Sequence, residues 1–176
     1  MALDRVSVFK NEAYGILSGG TLWLTHSSVD GNGAGGITTS GRLYLGDVTV
    51  AENRGVGIYA NGVVTGTHVT VTRNRAPAGP GIYVVQPVAP RDNAPSVRLG
   101  ASIVAGNRTN EGLGRNCSGD VAGRDSVEDG VSCTFPIAAD ARLGPVTGDG
   151  GLPAATPLPT SPALDLVPRS ACSAYD

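Results

Sequence analysis

Lysine is almost missing from this 176-residue chain: Lys10 is the only one among 13 basic side chains, and arginine supplies the rest. With 15 acidic residues the formal charge is −2. No stretch of the sequence concentrates basic residues, so a nucleic-acid-binding stripe and a polybasic membrane patch are both excluded as readings. No apolar run is long enough to cross a bilayer. Two Phe and one Trp are too few for a core packed on aromatic rings, whereas 26 Gly and 12 Pro call for many turns. The opening MALDRVSVFK lacks an apolar segment of signal-peptide length. Cysteine numbers only three (Cys117, Cys133 and Cys172), so at least one thiol is left without a partner. Nothing resembles a cofactor motif, and no cofactor is expected.

What the chain does have is a repeat. Asn11, Asn32, Asn53 and Asn74 recur at intervals of 21 residues. Three positions before each stands Val8, Val29, Val50 or Val71, and ten before stands Met1, Leu22, Leu43 or Val64. Eight before, the series runs Leu3, Leu24, Leu45, Gly66. Five after, Ile16, Ile37 and Ile58 each follow a glycine, and Gly20, Gly41 and Gly62 close the coils. Three extra residues around Ala76–Ala78 delay Gly81–Ile82, and an insertion over 84–96 delays the fifth copy, so Asn107 follows Asn74 by 33 residues. Val97, Leu99 and Val104 then resume the columns.

Short β-branched runs separated by Gly and Asn at this period predict a solenoid of stacked parallel strands. The fold class expected is all-β: a right-handed parallel β-helix of about 21 residues per coil. Coils would occupy 1–107 and an irregular Gly/Pro-rich cap 108–176, within one domain, the cap covering the open end of the apolar column. In LYLGDVTV, alternation turns Leu43, Leu45, Val48 and Val50 inward and Tyr44 and Thr49 outward, with a bend at Gly46–Asp47. Five coils at about 4.8 Å each give a rod on the order of 24 Å. The recurring Asn (Asn11, Asn32, Asn53, Asn74, Asn107) is read as a corner residue that accepts left-handed backbone, its amides bonding along the column.

The coil phrase L-x-L-x-x-S/V-T-V-x-x-N followed by G-G/V-G-I resembles the right-handed β-helix repeats of bacterial surface proteins. The tail phrases SIVAGN, NCSGDV, SCTF, DARLGPVTGDGG and SPALD look like the C-terminal half of choice-of-anchor Q domain proteins. Those are similar in fold to polymorphic outer-membrane proteins and pectate lyases. The resemblance implies export, display at the cell surface through a C-terminal anchor, and no assigned catalytic activity. Because Met1 falls inside a coil column and the chain stops at Asp176, short of the family's closing phrase, a fragment of a longer surface protein is expected.

Three sets of side chains could carry function. The column six before each Asn reads Arg5, His26, Asp47, His68, Ala101, which puts an aspartate between two imidazoles about 5 Å apart. Such a row could orient imidazoles for acid–base work, making His26, Asp47 and His68 the catalytic candidates; a polar surface ladder is the plainer account. Neighbouring Trp23 and Tyr44 in an outward column could form a platform for sugar rings, or a cross-strand pair that stabilises the sheet. Arg91 and Asp92 are charged residues on the insertion. Cys117 and Cys133 bracket a short loop and are the disulfide candidate; Cys117–Cys172 and Cys133–Cys172 stay open. No metal site is expected, because the Cys spacing is unpaired and neither His lies near them in sequence. The functional expectation is a non-enzymatic, extracellular or cell-surface module, structural or adhesin-like, that contacts glycans or cell-surface components. The alternative is a carbohydrate-active enzyme of pectate-lyase-like fold, either a polysaccharide lyase or a glycosidase.

Overall fold

The structure is a computed structural model that describes residues 1–77, 81–87, 94–109, 112–113, 115–148 and 151–166. Its described elements are all strands, stacked as a parallel β-solenoid of about five turns. A long strand in each coil lies directly over its predecessor: Leu22–Asp30, Arg42–Ala51 and Val63–Thr72 pair in parallel. The register joins Leu22 to Leu43 to Val64, and Val29 to Val50 to Val71. The 21-residue columns are therefore hydrogen-bonded neighbours. A second parallel sheet stacks Ile16–Ser18, Ile37–Thr39, Ile58–Ala60, Ile82–Val84 and Cys117–Ser118.

Each long strand bends once. His26, Asp47 and His68 adopt left-handed backbone, at φ 44°, 53° and 53°, and stay out of the ladder that pairs their neighbours. A left-handed L-residue costs about 1–2 kcal/mol. It persists here because flanking strands are pinned on both sides. The bend lets Leu43, Leu45, Val48 and Val50 all face the interior, where each is at most 5% exposed.

The corner near the ladder differs from the sequence reading. The left-handed residue is not the asparagine but the one before it: Lys10 (φ 52°), Gly31 (61°), Glu52 (54°), Arg73 (54°) and Gly106 (68°). That turn swings the Asn side chain inward. Asn32, Asn53, Asn74 and Asn107 are all at most 2% exposed. Each Nδ2 donates to the next Oδ1, from Asn11 to Asn32 (2.8 Å), Asn53 (2.8 Å), Asn74 (2.8 Å) and Asn107 (3.0 Å). The same oxygens accept the backbone N–H of the preceding asparagine. From Asn32 onward, the second Nδ2 hydrogen goes to a carbonyl such as Val8 or Val29. A buried primary amide is thus almost fully paired, which is what makes its burial affordable. Glycine precedes the first four short strands of the second sheet because the backbone there rests on the ladder: a Cβ at Gly36 would sit 2.6 Å from Val50 Cγ1 and 3.0 Å from Asn53 Nδ2.

Parallel stacking continues beyond residue 107. Val121–Arg124 lies over Ser96–Gly100, Val127–Glu128 over Ile103–Ala105, and Ile137–Ala138 over Val127–Glu128. The column that reads Val29, Val50, Val71, Val104 then receives Glu128, which is 1% exposed. Its carboxylate accepts from the Ser132 N–H (2.9 Å), the Ser132 hydroxyl (2.5 Å) and the Cys133 N–H (2.7 Å). Phe135 packs onto the core where Gly123 leaves space; a Cβ at Gly123 would stand 2.7 Å from its ring. Glu128, Phe135 and the Cys117–Cys133 disulfide close this end.

The chain after residue 138 does something else. Ala141, Leu143, Ala163 and Leu166 pack with Ile103, Ala105, Val127 and Ile137 as a second apolar cluster on the outer face of the long sheet. Leu143–Thr147 and Ala154–Pro157 form an antiparallel pair there. Thr49, expected to face solvent, does point outward but is only 8% exposed.

Candidate functional site

The left-handed bend that breaks each long strand also pushes its side chain out from the rod. Stacking then lines these side chains up one coil apart, and the result is a row of alternating acids and imidazoles. Asp4 Oδ1 lies 2.8 Å from His26 Nδ1. His26 Nε2 lies 3.6 Å from Asp47 Oδ2, and Asp47 Oδ1 lies 3.1 Å from His68 Nδ1. The structure therefore brings His26, Asp47 and His68 together as the column predicts. It adds Asp4, which sequence reasoning missed because it stands one place off the column, beside Arg5. The signal was available in the register, which sets Asp4 against Thr25, the neighbour of His26.

Both ring nitrogens of His26 face carboxylate oxygens, so a neutral imidazole can satisfy only one of them as donor. The Asp4 carboxyl is held below the usual carboxylate range, chiefly by the hydrogen bond from His26, then by the Thr25 hydroxyl at 2.7 Å, with smaller help from the Arg5 and His26 charges. The side chains of Asp4 and His26 are each nearly half exposed, and that of His68 is 28% exposed. The row lies on the surface. It crosses the long sheet at the bends of successive strands. Among the described residues, no group of three or more His, Cys, Asp or Glu is arranged to hold a metal ion.

Trp23 and Tyr44 sit on the outer face of the same strands, in register, with ring centroids 5.3 Å apart and planes 13° from parallel. Rings in one plane, edge to edge, could not approach this closely without overlapping. The two are therefore offset-stacked, each covering one face of the other. That geometry is the cross-strand pair, not a coplanar platform; what remains open is one outer face and the ring edges, with Trp23 46% exposed. A second stack escaped the sequence reading: Tyr59 and Tyr83, at 5.2 Å and 15°. Each directly follows a core isoleucine, Ile58 or Ile82, but the three-residue insertion shifts their spacing from 21 to 24.

The asparagine ladder also extends further than its period shows. Asn107 Nδ2 donates to Asn116 Oδ1 at 3.0 Å, and Asn116 Nδ2 makes a short bond to Asp129, whose other oxygen accepts the Gly106 N–H at 2.7 Å. Asn116 occupies the column of Gly36, Gly57 and Gly81, so no spacing announces it. Cys117 and Cys133 are disulfide-bonded with Cα atoms 5.0 Å apart. Cys172, Arg91 and Asp92 lie outside the described residues.

No helix among the described residues is long and apolar enough to cross a membrane. Comparison with protein-family models, curated proteins and solved structures gives no match, so the likeness to choice-of-anchor Q domains rests on the sequence phrases alone.

Proposed function

We propose that this chain is a module of an exported, cell-surface protein related to the choice-of-anchor Q group, its coils wound right-handed as in pectate-lyase-like folds. It acts without catalysis, as a rigid adhesin-like spacer whose outer sheet face contacts glycans. The observation that carries the reading is the Cys117–Cys133 disulfide, a bond that persists in oxidising compartments and is rare in reducing ones. Two features support the non-catalytic part. The buried amides are used up in holding coils together, and the row Asp4–His26–Asp47–His68 lies exposed, each imidazole bonded to a neighbouring carboxylate instead of lining a cleft. The exposed edge of Trp23, with hydroxyl, carboxylate and imidazole groups beside it, offers the mixture of apolar face and hydrogen-bonding rim that sugars need.

The test is one incubation series with neutral and acidic polysaccharides, with and without Ca²⁺. The reading predicts retention on at least one glycan, weakened tenfold or more in Trp23→Ala, and no new reducing or unsaturated ends. Cleavage products would overturn it in favour of a carbohydrate-active enzyme.

A further inference from the structure

Basic residues that are scattered in the sequence converge in space on the ladder corner. Arg54, Arg75 and Arg108 each follow a ladder asparagine, and their backbones stack: Arg54, Arg75 and Arg108 N–H groups donate to Asn32, Asn53 and Asn74 carbonyls, and Arg75 bridges Arg108 directly. Successive coils are about 4.8 Å apart, so like charges are held close along one column. Arg73, on the left-handed corner beside them, points its guanidinium under the folded-back segment, where Nη2 donates to the Leu143 (3.0 Å) and Gly144 (2.7 Å) carbonyls. Its Nη1 is buried and has no hydrogen-bond partner among the described residues.

These groups border an open-sided pocket. A cavity of about 370 Å³ between the corner and the returning chain is lined by Arg73, Arg75, Arg108 and Arg142, with Asp129 and Asp140. The two carboxylates offset part of this charge, and four arginines against two aspartates leave an excess of two cations. Asp129 spends its oxygens on the Gly106 N–H and the Asn116 amide, and Asp140 Oδ1 accepts the Arg142 N–H at 2.9 Å. Among the described residues neither is in an ion pair with these arginines, nor is any other acidic group. A buried guanidinium N–H without a partner is costly, and the excess of arginine over aspartate leaves this pocket positive in a protein of net charge −2, which favours an anionic ligand.

We propose that this cavity is a binding site for a tetrahedral oxyanion, a sulfate or phosphate ester carried on a sugar. A planar carboxylate is satisfied by one guanidinium meeting it edge-on with two bonds. Here the donors come from different elements, two successive coil corners and the returning segment, and so meet the ligand from several directions, which suits the spread oxygens of a tetrahedral group. The volume exceeds a bare anion and has room for the sugar ring that bears it. The site is separate from the Trp23 face, and either can fail without the other.

Calorimetric titration of the intact chain tests this, using a sulfated disaccharide, a phosphorylated hexose and a carboxylate-only oligouronide. The expected result is binding of the sulfated or the phosphorylated sugar, whichever is preferred identifying the source. The oligouronide should bind at least tenfold more weakly. Arg75→Ala/Arg108→Ala should lose tenfold or more. Both side chains are exposed, and circular dichroism verifies that the fold is kept. Arg54→Ala, in the same column but outside the cavity, should stay within twofold of the parent chain. No binding of either ester, equal binding of the uronide, or an unchanged affinity in the double variant would overturn the proposal.

Discussion

Replacing Asn53 by alanine removes a side chain that accepts two bonds from Asn32 and donates to Val29 and Asn74. The Asn32 backbone N–H, one Asn32 Nδ2 hydrogen and the Val29 carbonyl then lose these partners, whereas Asn74 Oδ1 keeps the backbone N–H of residue 53. At about 1–3 kcal/mol for each unsatisfied group, we expect a loss of roughly 3 kcal/mol or more, read by chemical denaturation. Asn11→Ala cuts the same kind of bond at the exposed end of the ladder and should cost about 1 kcal/mol or less. Equal effects at the two positions would contradict the ladder as the source of cohesion. Asp30 and Asp4 give opposite pH dependences. Burial raises the Asp30 carboxyl above its ordinary value, and its Oδ1 is buried without a partner among the described residues. Its neutral form therefore suits the fold, and stability present at low pH is lost as pH rises through the folded-state value. Asp30→Asn should raise the melting temperature at pH 7 and change little near pH 3. Asp4 is depressed by His26 and Thr25, so its contribution is present above the ordinary carboxylate range and disappears as pH falls through the folded value. Asp4→Asn should lower the melting temperature at pH 7 but not near pH 2.

Among the elements, the ones legible in the sequence are those that repeat. Val, Leu, Ile and Asn recur every 21 residues because each must meet its own kind one coil away, so the pattern of columns is the fold. The left-handed corner was harder to place. Both Asn and the residue before it tolerate a turn, and only the inward-pointing amide settles which of them bends. Asn116 and Glu128 were illegible for a different reason. Each replaces the usual residue of its column, glycine and valine, once the stack nears its end and the space changes. The outer apolar cluster was hidden because Ala141, Leu143, Ala163 and Leu166, which pack on Ile103, Ala105 and Val127, lie outside the 21-residue repeat. At the closing end, the disulfide spans 16 residues and should contribute about 3 kcal/mol by restricting the unfolded chain. Adding reductant, or Cys117→Ser/Cys133→Ser, should lower stability by that order while the coils before it keep their β-sheet circular dichroism.

For the whole molecule, the groups that hold the coils together along the axis and the groups left at the surface are separate sets. Stacking uses up the inward groups, and what remains for partners is a set of outward columns: an acid–imidazole row, two aromatic stacks and an arginine corner. The acid–imidazole row and the Trp23–Tyr44 stack are visible in spacing. The arginine corner is not, because Arg142 and the carbonyls that hold Arg73 come from a segment that turns back over the sheet. The account's central claim is that buried asparagines bind the coils into one cooperative rod. Native-state hydrogen exchange tests it most directly. The backbone N–H groups of Asn32, Asn53 and Asn74, each donated to the next ladder amide, should be among the slowest in the chain and exchange only with global unfolding. Exchange of these three at the rate of exposed loop amides would contradict the claim.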